Sequence, residues 1–137
     1  MNREILFRGK RVDCDEWVYG YLVKMWGVFH IIDKDNENAA YMVEPETVGQ
    51  FTNLIDKNGN KIFEGDIVKV GRKLTINIGY SYPKLIETSA PTKIVVVIYS
   101  VELGCFCLSE KYNTDYETIT SDCEIIGNIY DNKELLK

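Results

Sequence analysis

The sequence has little of what enzymes and membrane proteins usually carry. It holds one histidine, His30. Histidine is the commonest general acid–base of catalysis. Its single copy lies among Val28, Phe29, Ile31 and Ile32, where a core or interface role is expected. The longest apolar run, residues 94–99, is of strand length and far from the ~20 residues of a membrane helix. No glycine-rich phosphate loop is present, because Gly59 and Gly65 stand alone and match neither the Walker nor the Rossmann spacing. Cys14, Cys105, Cys107 and Cys123 do not form the two pairs of a structural zinc site. They are expected as reduced, small buried apolar side chains. Positive charge is also short: 16 Lys and Arg against 21 Asp and Glu give a net charge of −5. That opposes broad binding to a phosphate backbone, where affinity comes from cations displacing counterions. The N-terminus lacks the apolar stretch of a secretory signal, so a cytoplasmic location is expected. No enzyme activity, cofactor or metal is expected from this inventory.

What the chain does contain is apolar and β-forming. At 45% hydrophobic and 12% aromatic, its 137 residues suffice for one compact domain or two small lobes. Period-two alternation dominates and helical periodicity is scarce. Strands are expected at residues 4–8, 17–24, 26–32, 41–43, 46–55, 67–70, 94–99, 105–108 and 124–130. A tight turn at Gly9-Lys10 and a hairpin connection at Lys24-Met25 separate the first three. Residues 94–99 are apolar on both faces and read as a central, doubly covered strand. Asn58-Gly59 supplies a tight turn. Asp131 is placed to cap a short C-terminal helix over 132–136. The expected architecture is mainly β: an N-terminal β lobe (1–58) joined to a small SH3-like or OB-like barrel (59–137) with a flexible loop at 79–93.

The most pointed feature is aromatic. Trp17, Tyr19 and Tyr21 alternate along one strand and so share one face. Such a face fills a core, meets another subunit or stacks bases. Trp26, in the following segment, joins it as an interface candidate. Basic candidates for a nucleic-acid surface are Lys69, Arg72 and Lys73. A second basic stretch, Arg8-Gly9-Lys10-Arg11, reads as solvated loop ends, because Asp13, Asp15 and Glu16 follow at once. Among the carboxylates, Asp66 is expected to accept backbone amide hydrogen bonds at a corner.

Several blocks resemble the YopX family of bacteriophage and prophage proteins. They are Glu4-Ile-Leu-Phe-Arg-Gly-Lys-Arg11, Trp17-Val-Tyr-Gly-Tyr-Leu22, Val43-Glu-Pro-Glu-Thr-Val-Gly-Gln-Phe-Thr52, Asp56-Lys-Asn-Gly59, Ile62-Phe-Glu-Gly-Asp-Ile-Val-Lys-Val70 and Glu124-Ile-Ile-Gly-Asn-Ile-Tyr-Asp131. Residues 79–120 are the least typical. Asn53 stands where glycine is expected, and asparagine tolerates the left-handed backbone conformation. The resemblance implies a phage-derived, mainly β protein with a small barrel and a tendency to form oligomers. It implies no reaction and no catalytic residue. The expected role is a non-enzymatic, self-assembling interaction module with a protein partner or a second copy. The alternative is a single-stranded nucleic-acid-binding protein that uses the aromatic face.

Overall fold

The computed structural model describes residues 2–71, 92–109, 116–120 and 122–136. Two antiparallel sheets account for nearly all regular structure. The first is built from β1 (Phe7–Lys10), β2 (Trp17–Met25), β3 (Val28–Asp33), β4 (Ala40–Met42), β5 (Gly49–Ile55) and β6 (Lys61–Phe63), in the order β4-β3-β2-β1-β5-β6. The second contains β7 (Asp66–Val70), β8 (Lys93–Ser100), β9 (Cys105–Ser109), β10 (Tyr116–Glu117) and β11 (Glu124–Asn128), in the order β10-β9-β8-β7-β11. The chain passes from the first sheet to the second at Glu64-Gly65.

The first sheet curls on itself. Val43 bridges back to Arg11, just past β1, and the Glu44 amide donates to the Lys10 carbonyl at 2.9 Å. Val18, Ile31 and Val43 fill the concave side. The curl needs side-chain-free positions. A Cβ on Gly20 would lie 1.8 Å from the Ile32 carbonyl oxygen. The return contact is a single bridge, so the sheet does not close.

The second sheet buries Val68, Val95, Val97, Leu108, Ile119 and Cys123, and β6 contributes Ile62 to the same cluster. Each such side chain stabilises the fold by roughly 1.5–3 kcal/mol. Leu6, just before β1, Phe51 on β5 and Phe63 on β6 form a smaller cluster on the first sheet.

Several expectations need correction. Among the described residues no closed barrel is present, and both sheets are open. Curling through one bridge satisfies the first sheet, and its strands do not continue into a full ring of pairing. The C-terminal helix is one 3₁₀ turn, Lys133–Leu136, with no buried residue to anchor a longer helix. Gly9 and Lys10 are not a turn but the second half of β1, paired with Val18 and Trp17. The β2–β3 connection is Trp26-Gly27, both at positive φ (50° and 78°), so Trp26 is a turn residue and not a strand residue. In β8 only the centre is covered on both faces; Ile94 and Tyr99 are exposed near its ends. Cys107 and Cys123 are buried as expected, whereas Cys14 and Cys105 are exposed, since both lie where chain leaves or enters a turn. The 79–93 loop expectation falls largely outside the described residues.

Candidate functional site

The register of β1 against β2 places Arg8 opposite Tyr19 and Lys10 opposite Trp17. Directly paired residues share a face, so this cation–aromatic group points to one side of the first sheet. That side meets the corner at Gly65, where the backbone takes φ 93° and β7 begins. Asp66 lies just past the corner. Its Oδ2 accepts the Phe63 amide at 2.7 Å, the amide-accepting role the sequence suggested. Its Oδ1 lies 2.8 Å from Arg8 Nη1.

Both partners are buried, with Arg8 6% and Asp66 2% exposed. Arg8 is thus not a solvated loop end; it is the charged floor of the interface between the sheets. Its guanidinium carbon lies 4.8 Å from the Trp17 ring centroid and 5.1 Å from that of Phe63. Burial pushes the Asp66 carboxyl above its ordinary value, and the Arg8 charge and Phe63 amide pull only partly against it. Arg8 Nε has no hydrogen-bond partner among the described residues. Above this floor opens a cleft of about 420 Å³ whose rim carries Tyr19, Lys34 and Lys61. The Tyr19 ring meets the buried Phe63 edge-on at 5.5 Å.

Trp17 is taken out of this cleft. Its Nε1 donates to Asp131 Oδ2 at 2.7 Å, and its ring packs against Tyr130 at 5.8 Å. Lys10 ion-pairs with the other oxygen of Asp131. The Lys10 contact, aided by hydrogen bonds from Trp17 and Asn128, holds the Asp131 carboxyl down at about 2.

The remaining candidates scatter. Tyr21 is exposed on the outer face of β2, and Trp26 stands at the hairpin tip, 91% exposed. Lys69 is exposed on β7, in register with Ile94 and Glu124, and does not line the cleft with Tyr19. Arg72 and Lys73 lie outside the described residues. His30 sits on the same outer face as Tyr21, its Nδ1 2.9 Å from the Val28 carbonyl. Among the described residues no group of three or more His, Cys, Asp or Glu is arranged to hold a metal ion, and no helix is long and apolar enough to cross a membrane.

Sequence reasoning missed Arg8, Lys34 and Lys61 as site residues. The usable signal was the β1–β2 register, which sets Arg8 beside Tyr19. Alternation alone does not supply it.

Comparison with known proteins agrees with the fold. The model of the family described as YopX protein matches residues 6–137. No curated protein matches the chain significantly. Among solved structures, the crystal structure of protein EF1440 from Enterococcus faecalis superposes with a TM-score of 0.54. It shares 20% sequence identity, and the match covers 99% of this chain and 100% of that one. At that identity the likeness concerns the fold.

Proposed function

The chain belongs to the YopX family, and from that premise we propose that it works by binding and not by catalysis, as a module that self-assembles through the outer face of β2–β3–β4. The observation that carries this reading is Trp26. It holds φ 50° and is 91% exposed, so little packing among the described residues compensates the strained conformation. A bulky side chain in this region costs on the order of 1–3 kcal/mol, and such strain collects at functional positions. Exposed tryptophan is also the side chain most enriched at binding hot spots.

The surface beside it suits a second copy. The register puts Tyr21, Val23, Val28, His30, Ile32, Ala40 and Met42 on one face. Those positions include no Asp, Glu, Lys or Arg, in a chain that is 27% charged. Tyr21, Val28 and Met42 are 51%, 36% and 47% exposed. Two copies that each carry −5 repel wherever their charged surfaces meet. An uncharged face lets them approach, and a two-fold axis makes it self-complementary. A setting in phage or prophage biology within a bacterial cytoplasm follows from the family resemblance and is part of the same proposal.

The nucleic-acid alternative in its three-ring form is less well supported, because Trp17 is committed to Tyr130 and Asp131. Light scattering on the eluting protein tests the self-assembly reading. A concentration-dependent oligomer that Trp26→Asn shifts towards monomer supports it. A monomer at every concentration up to hundreds of micromolar refutes it.

A further inference from the structure

The cleft above Arg8 and Asp66 lies on the same side of β2 as the self-assembly face, beside Tyr21 at the Tyr19 position, and has a different chemistry. We infer that it binds one nucleotide-type ligand, a planar ring carrying a phosphate, with the ring on Tyr19 and the phosphate between Lys34 and Lys61. Four observations converge. First, the lining carries three cations, Arg8, Lys34 and Lys61, and one carboxylate, Asp66. That carboxylate is fully engaged by Arg8 and the Phe63 amide. Among the lining residues themselves, cations thus outnumber carboxylates three to one.

Second, the two rim lysines are available. Lys61 pairs with Glu4 at 3.0 Å and Lys34 with Asp35 at 3.4 Å, and the partner carboxylates are 49% and 80% exposed. Such exposed pairs are weak and readily exchanged for a doubly charged phosphate.

Third, Tyr19 is a prepared stacking surface. It is 37% exposed, and its ring makes an edge contact with the buried Phe63 at 5.5 Å. Every nucleobase has a π-face that such a ring accepts. Fourth, the floor is a nine-tenths-buried arginine whose Nε has no partner among the described residues. Burying an ion pair with a donor left over is a poor way to stabilise a fold. A buried carboxylate raised by desolvation at the base of a cleft, as Asp66 is, is a physical mark of a binding site. The volume, about 420 Å³, falls within the roughly 300–1,000 Å³ of small-molecule sites.

The size of the ligand follows from the surrounding charge. Glu4 and Asp35 stand just outside the two lysines, so a long strand would run its further phosphates past carboxylates. One nucleotide avoids them.

The test is calorimetric titration of the full chain at low salt with AMP, adenosine, ribose 5-phosphate and a ten-residue oligothymidylate. AMP should saturate one site per chain, with adenosine and ribose 5-phosphate each at least about tenfold weaker, since each lacks one half of the recognition. Tyr19→Ala should weaken AMP roughly tenfold and Tyr19→Phe should restore it, because the ring face and not the hydroxyl carries the stacking. The double variant Lys34→Ala/Lys61→Ala should weaken AMP and ribose 5-phosphate alike and leave adenosine unchanged. AMP binding tighter than the oligomer assigns a free nucleotide as the source. The reverse, with a steep salt dependence, assigns a nucleic-acid strand with the same chemistry. Absence of binding by both AMP and the oligomer at millimolar concentration overturns the inference. So does AMP binding that neither Tyr19→Ala nor the lysine double variant changes.

Discussion

Arg8 on β1 and Asp66 on β7 meet at 2.8 Å, each nearly fully buried, and theirs is a buried ion pair that ties one sheet to the other. Removing one member strands the other. Asp66→Ala leaves a buried guanidinium uncompensated and orphans the Phe63 amide, so it should destabilise the fold by about 3–5 kcal/mol. The double variant Arg8→Met/Asp66→Asn removes the stranded charge and keeps an acceptor for Phe63. It should recover most of that loss. Urea unfolding of the single and double variants measures the coupling, and strictly additive losses would show that the pair does not act as a unit.

Trp26 should show opposed effects on stability and association. Asn-Gly is the favoured pair where both turn residues have positive φ, as Trp26 and Gly27 do. Trp26→Asn should therefore raise the monomer's stability by roughly 1 kcal/mol by relieving the left-handed strain. Thermal melts in dilute solution test this, and a variant less stable than the parent would mean that the indole packs within its own chain.

The first sheet was partly legible in the sequence and partly not. Alternation over residues 17–24 located β2 and its aromatic face, and residues 94–99 located the centre of β8. Asn53 was identified as a stand-in for glycine, and its backbone does take φ 66°. The misreadings share a cause. Gly9-Lys10 has turn composition, yet a glycine was required there by the close approach of Ile31 and Val43, atoms 3.1 Å from where its Cβ would be. Trp26 looks like a strand residue by propensity, and only the pairing of Met25 with Val28 reveals it as the turn. The cleft was illegible because Arg8, Tyr19, Lys34 and Lys61 come from four separate segments, and long-range register, which alternation does not encode, brings them together.

Asn53 also closes a local circuit. Its Oδ1 accepts the Glu4 amide at 2.8 Å and its Nδ2 donates to the Glu4 carbonyl at 3.0 Å. Asn53→Gly keeps the backbone conformation and loses only these exposed bonds, for a cost below about 1 kcal/mol. Asn53→Ala loses them and adds a left-handed penalty of roughly 1–2 kcal/mol. Equal melting temperatures for the two variants would contradict the assignment of that conformation as the dominant constraint.

Acid should loosen the Trp17 contact before the rest of the fold. Asp131 titrates at about 2 in the folded protein, below the ordinary carboxylate value near 3.9. A lowered folded-state value means that its stabilising contribution is complete above about pH 4 and is lost as pH falls towards 2. Asp66, raised by burial, works the other way: protonation favours the folded state as pH falls through its window. Asp131→Asn should therefore lower stability at neutral pH and flatten the pH dependence between about 4 and 2. Denaturant midpoints across that range give the readout, and parallel profiles for parent and variant would exclude Asp131 as the source.

The bond from Trp17 to Asp131 spans 114 positions of sequence. The Asp56 carboxylate reaches Ile125 across 69 positions, and the Gly65 carbonyl takes the Ile129 amide. On the ribosome, β1 to β3 emerge long before any of those partners exist. The nascent protein therefore carries an uncapped indole and an open corner through most of its synthesis. Final locking waits on the last strand made, and a transcript cut short before Glu124 would yield a sticky, protease-sensitive product in place of a smaller working version.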